Sequence, residues 1–81
     1  MPKILIFEDD NILAKAMEIK ISEAGFDVLI SYDGEDALVK VESFLPDAII
    51  LDLLLPKKSG EEVLAELKAS PETKAIPVFV C

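Results

Sequence analysis

Apolar residues along this chain follow two alternating rhythms. Lys3 to Phe7 ("KILIF") is a nearly unbroken apolar run after Pro2, the pattern of a strand buried on both faces. From Asp10 or Asn11 to about Ala24 the spacing turns helical. Leu13, Met17, Ile21 and Ala24 form one stripe, Ile12, Ala16 and Ile19 widen it, and Gly25 stands where a helix terminates. "DVLIS", residues 27 to 31, predicts a second strand. Asp33 is placed to cap a second helix from Gly34 to about Ser43, with Ala37, Leu38, Val41 and Phe44 inward and Pro46 stopping it. Asp47 to Leu51 predicts the third strand. Ser59 and Glu62 have capping-box spacing and open a third helix with Val63, Leu64 and Leu67 inward. "SPETKA" is its exit, and "IPVFVC" is a fourth apolar strand. Strands that alternate with helices and read as solid apolar runs predict a parallel sheet with helices on its faces.

Composition narrows the function classes. The chain has 81 residues, enough for one small domain over 1–81, and is 52% hydrophobic, enough for a core. No apolar run reaches membrane-spanning length, and "MPKILIFEDD" lacks the pattern of a secretory signal. The one cysteine, Cys81, cannot form an internal disulfide, so a cytoplasmic location is expected and no membrane partner is. Sixteen acidic side chains face eight basic ones, all lysine, so this segment is not expected to grip nucleic acid. There is no histidine. Any metal held here would be a hard cation bound through oxygen.

The acids fall at telling places. Asp52 lies within "PDAIILDLLLP", among seven apolar residues from Ala48 to Leu55, where an isolated buried carboxylate would be costly. Glu8, Asp9 and Asp10 follow the first strand directly. In open α/β sheets, ligands bind beyond the carboxyl ends of strands, where the strand order reverses. If strands one and three are neighbours, as in a 2-1-3 order, these acids converge at one edge. Carboxylates gathered there raise one another's pKa unless a cation relieves the repulsion, and Mg²⁺ fits that role.

Four segments, "KILIFEDD", "DGEDAL", "DAIILDLLLPKKSG" and "IPVFV", carry a resemblance to the receiver domains of two-component response regulators over the whole chain. In that family an acidic pair follows strand one, a phosphoacceptor aspartate ends strand three, and a proline and a glycine follow four and eight residues later. Here those positions are Glu8 and Asp9, Asp52, Pro56 and Gly60. The resemblance implies a flavodoxin-like sheet in the order 2-1-3-4, lacking the family's last α-β-α elements. It implies that Asp52 accepts a phosphoryl group from a histidine kinase or phosphotransfer protein. Asp9, the Asp52 carboxylate and the Leu54 main-chain carbonyl would ligate Mg²⁺, with Glu8 acting through a metal-bound water. Asp10 is a supporting residue that could equally cap the first helix. Pro56 would shape the loop, and Gly60 would turn the backbone into helix three or serve as an ordinary first-turn glycine. Lys57 and Lys58 read as solvated loop lysines. The chain would be no enzyme beyond its own phosphorylation and dephosphorylation at Asp52.

The family's Ser or Thr ending strand four and its Lys ending strand five have no counterpart through Cys81. The expectation is an incomplete receiver whose apolar strand-four edge is exposed, so that the chain dimerises or exchanges elements there. The competing reading is a phosphorylation-impaired scaffold that acts only by association. An aspartate-nucleophile phosphatase would carry a second Asp where Leu54 stands, and a dinucleotide site would need G-x-G-x-x-G after the first strand. Neither is present.

Overall fold

A computed structural model describes residues 1–81. Its elements are β1 (Lys3–Phe7), α1 (Asn11–Glu23), β2 (Asp27–Ser31), α2 (Ala37–Phe44), β3 (Ala48–Leu51), α3 (Gly60–Ala69) and β4 (Val78–Val80). The four strands form one parallel sheet in the order β2-β1-β3-β4. The order therefore reverses beside β1, and β1 and β3 are neighbours. Ile4 to Phe7 pair in register with Ala48 to Leu51.

Alternation along the strands divides the apolar residues between two faces. Leu5, Phe7, Ile49 and Leu51 point to one face and pack with Ala37 and Val41 of α2 and Val63 and Leu67 of α3, all essentially fully buried. The opposite face carries Ile6 and is covered by α1, which buries Ala14. Fully burying each such aliphatic side chain contributes about 1.5–3 kcal/mol, so this small core is the main favourable term.

Local signals set most boundaries. The Asp10 carboxylate accepts the Ile12 and Leu13 N–H groups at 2.9 and 3.1 Å and caps α1. Gly25, at φ 100°, closes the helix: its N–H donates to the Ser22 carbonyl at 3.0 Å, and the Phe26 N–H to that of Ile21 at 3.4 Å. Ser59 and Glu62 form the expected capping box at the start of α3.

Two expectations are corrected. The face that α1 buries is Ala14 with the partly buried Met17 and Ile21, whereas Ile12, Leu13, Ala16, Ile19 and Ala24 are exposed. Apolar residues surround more of this helix than a single sheet face can cover. The second helix begins at Ala37, not Gly34, and Asp33 does not cap it. Asp36 precedes the helix in left-handed conformation at φ 59°, with no side-chain cap. The Asp33 carboxylate is engaged by the Glu35 N–H at 2.9 Å instead, and the Gly34 N–H reaches across to the Pro56 carbonyl at 3.4 Å. A long-range backbone contact outcompetes the earlier helix start.

Candidate functional site

Strand pairing continues one residue past β1 and β3, and this brings their acids together. The Glu8 N–H donates to the Ser31 carbonyl at 2.9 Å, and the Asp52 N–H donates to the Phe7 carbonyl at 3.1 Å. Glu8 and Asp52 thus leave adjacent strands at the same height. Asp9 follows, and one carboxylate oxygen from each of Glu8, Asp9 and Asp52 lies within 4.8 Å of the others. Asp52 is half-buried and Asp9 exposed, while Glu8 is only 5% exposed.

Each neighbour has a definable effect. Burial pushes the Glu8 carboxyl above its ordinary 4.5; the Asp10 N–H, donating at 3.1 Å, opposes this, and the Asp52 and Asp9 charges add to the rise. Asp52 Oδ1 accepts the Leu54 N–H at 2.9 Å, which ties the carboxylate to the loop that follows it. This answers how an aspartate sits inside so apolar a run. Its strand flanks face the core, whereas its own carboxylate stands at the strand mouth among polar partners.

Of the other residues singled out above, Asp10 caps α1 and is not in the three-acid cluster. The Leu54 side chain is 84% exposed, so only its backbone addresses the site. The Pro56 carbonyl accepts from both Lys58 and Gly34. Gly60 is buried as the first residue of α3, against the backbone of Asp52 and Leu53. Lys57 and Lys58 are not free: Lys57 pairs with Asp33 and Glu35, and Lys58 with Glu66 at 2.6 Å. Sequence reading left out Cys81 as a neighbour. The Cys81 N–H donates to the carbonyl of Leu51, the residue before Asp52, at 3.0 Å, which puts Cys81 at the same edge of the sheet; burial and then the Asp52 and Glu8 charges push its thiol up. No local signal in the sequence marks this position, because it depends on the pairing of β4 with β3.

The donor set suits a hard cation. Three carboxylates supply oxygen alone, one of them is desolvated and under like-charge repulsion, and a divalent ion relieves that repulsion.

Comparison with known proteins shows the family. The chain is 34% identical over 80 residues to the phosphate regulon transcriptional regulatory protein PhoB of Rhizobium meliloti, an alignment covering 99% of this chain and 35% of that protein. The chain spans about a third of the length of the curated relatives it matches. Among solved structures, the signal receiver domain of a signal transduction histidine kinase from Syntrophus aciditrophicus superposes with a TM-score of 0.92 at 30% identity, covering 99% of this chain and 61% of that one. The receiver domain of a Pseudomonas aeruginosa sensor histidine kinase, solved with a magnesium ion coordinated in its active-site cleft, gives 0.91 at 26%, covering 98% and 65%. The family model described as the response regulator receiver domain matches residues 4–81, and the chain belongs to that family.

Proposed function

We propose that this chain is a cytoplasmic phosphoacceptor unit of a two-component system, taking a phosphoryl group onto Asp52 from a histidine kinase or phosphotransfer protein. The observation that carries the reading is the convergence of Glu8, Asp9 and Asp52 at the mouths of adjacent strands. Glu8, Asp9 and Asp52, with the Leu54 carbonyl, would hold Mg²⁺, Glu8 through a water. When bound, the ion would neutralise charge on the phosphoryl oxygens and so let an anionic nucleophile approach.

The residues divide the remaining work. An Asp52 carboxylate oxygen forms the new P–O bond as the donor's P–N bond breaks, and the leaving imidazole takes up a proton. The Leu54 N–H orients Asp52 by holding Oδ1 at 2.9 Å, leaving the other oxygen to attack. The product is an acyl phosphate that water can hydrolyse, so the mark is transient. No substrate is turned over beyond this cycle, which makes the chain a signalling module and not an enzyme.

We also infer that the β4 edge is covered by a second copy of the chain, through strand pairing or element exchange. Phe79 and Val80 are 62% and 48% exposed on a strand that pairs only with β3. The primary test is intact mass after incubation with Mg²⁺ and a small phosphodonor. A gain of one phosphoryl group that Asp52→Asn abolishes is expected. No gain by a folded sample would overturn the phosphoacceptor reading in favour of a scaffold that acts by association.

A further inference from the structure

The loop joining β3 to α3 is held at its tip as well as at its ends. Pro56, Lys57 and Lys58 make a three-residue turn in which the Lys58 N–H donates to the Pro56 carbonyl at 2.8 Å and Lys57 stands at φ 70°. The positive-φ form of this turn is rare and strained, and it persists where surrounding structure over-determines it. Here the surrounding structure is the β2–α2 loop. The Lys57 ammonium lies 3.2 Å from a Glu35 carboxylate oxygen and 3.6 Å from Asp33 Oδ2.

Asp33 is itself fixed. Its Oδ1 accepts the Glu35 N–H and lies 3.8 Å from the Lys40 ammonium, which donates to Ser31 Oγ at 2.7 Å. Ser31 is 2% exposed at the end of β2, so the chain of contacts is anchored in the sheet. Gly34 presses backbone to backbone on the same turn. A Cβ there would collide with the Lys58 carbonyl and lie 2.9 Å from Val63 Cγ2, so only glycine fits.

We propose that Asp33, Gly34 and Lys57 are positioning residues for the acidic site: the β2–α2 loop clasps the tip of the β3–α3 loop and fixes the path of the backbone from Asp52 through Leu54. None of the three forms a hydrogen bond or ion pair with Glu8, Asp9 or Asp52. The clasp acts through the loop, because Asp52 Oδ1 is bonded to the Leu54 N–H within it. The inference rests on the reading of Asp52 and Leu54 as metal-site elements given above.

Charge alone and positioning predict opposite signs for one surface substitution. Lys57→Met removes a positive charge near an acidic site, which by Coulomb attraction alone would tighten binding of a cation. Loosening the loop would weaken it. The experiment titrates Mg²⁺ by calorimetry into wild type, Lys57→Met, Lys57→Arg and Gly34→Ala. Amide hydrogen exchange at Leu54 and Lys58 is followed in parallel without metal. Lys57→Met is expected to bind Mg²⁺ about tenfold more weakly, the lower end of what supporting residues contribute at metal sites, with faster exchange at both amides. Lys57→Arg is expected to restore both readouts, and Gly34→Ala to weaken binding further. Equal or tighter Mg²⁺ binding by Lys57→Met overturns the proposal. If wild type itself binds no Mg²⁺, the reading of the site fails, and exchange alone decides the clasp: rates at Leu54 and Lys58 unchanged by Lys57→Met overturn it.

Discussion

Gly60 stands directly against the backbone of Asp52. A Cβ at position 60 would collide with the Asp52 carbonyl and come within 2.5 Å of Leu53 Cα, while the Gly60 N–H donates to the Leu53 carbonyl at 3.0 Å. The first residue of α3 therefore closes the β3–α3 loop onto the strand end that carries the proposed nucleophile. The sequence offers Gly60 as a turn into helix three or as an ordinary first-turn glycine; it is the first residue of α3, and the packing adds a requirement that neither role states, the close approach of its backbone to that of Asp52 and Leu53.

Gly60→Ala should consequently destabilise the fold, although alanine is the better helix former. The obstacles are backbone atoms that cannot rotate away, so the cost is that of overpacking, about 1–3 kcal/mol. Urea unfolding measures it. A variant as stable as wild type would mean that the loop yields, and that Asp52 is less firmly placed than its contacts imply.

Asp9 and Asp10 are adjacent in sequence and should behave oppositely. Asp10 accepts the Ile12 and Leu13 N–H groups as the cap of α1, so Asp10→Ala should cost about 1 kcal/mol while the Mg²⁺ response persists. Asp9 stands in the acid cluster, so Asp9→Ala relieves like-charge repulsion and should leave stability unchanged or slightly raised. It should abolish the stabilisation that Mg²⁺ gives to wild type by binding the folded state alone. Thermal melts of both variants with and without Mg²⁺ separate the two roles. Exchange of the two behaviours would reassign the metal ligand to Asp10.

How much of this was legible beforehand depends on the range of the forces involved. The apolar runs that became β1 and β3, the acids at their ends and the Ser59–Glu62 box are written in neighbouring residues. The convergence of Glu8, Asp9 and Asp52 could be anticipated because strand ends in a parallel sheet fix where acids meet. The α1 face could not be, since apolar residues lie on several sides of that helix and only packing selects Ala14 with Met17 and Ile21. The start of α2 at Ala37 is hidden for a similar reason. Asp33 and Gly34 look like a helix entry, yet their partners are Lys57 and Pro56, more than twenty residues away. The place of Cys81 beside the acids depended on pairing between β3 and β4, which local periodicity does not encode.

Glu8 sets the sign of a pH effect. Its folded pKa is raised above the ordinary 4.5, so across the window from 4.5 up to the raised value the folded state holds more proton than the unfolded one. Stability then falls as pH rises through that window, and the Glu8 contribution is fully lost above it. Metal-free Glu8→Gln should lose this falling component and exceed wild type in stability near neutral pH. Denaturant midpoints taken across the range for both proteins check it. Parallel pH curves would mean that Glu8 is better solvated than its 5% exposure implies.

The β4 edge carries the last prediction. Strand alternation points Phe79 and Val80 to opposite faces; Phe79 is 62% and Val80 48% exposed, while Val78 packs against the core on the same face as Val80. An apolar edge with unpaired backbone groups is a template for another strand, and a lysine placed on it blunts such pairing. Sedimentation at micromolar concentration should therefore show dimers, and Val80→Lys should shift the population toward monomer. Dilution distinguishes the two modes of association. Pairing at the edge re-equilibrates quickly, whereas exchanged elements must unfold before they separate, so dimers that persist for hours after dilution indicate exchange. A wild type that sediments as a monomer at these concentrations would remove self-association from the protein's properties while leaving the chemistry at Asp52 untouched.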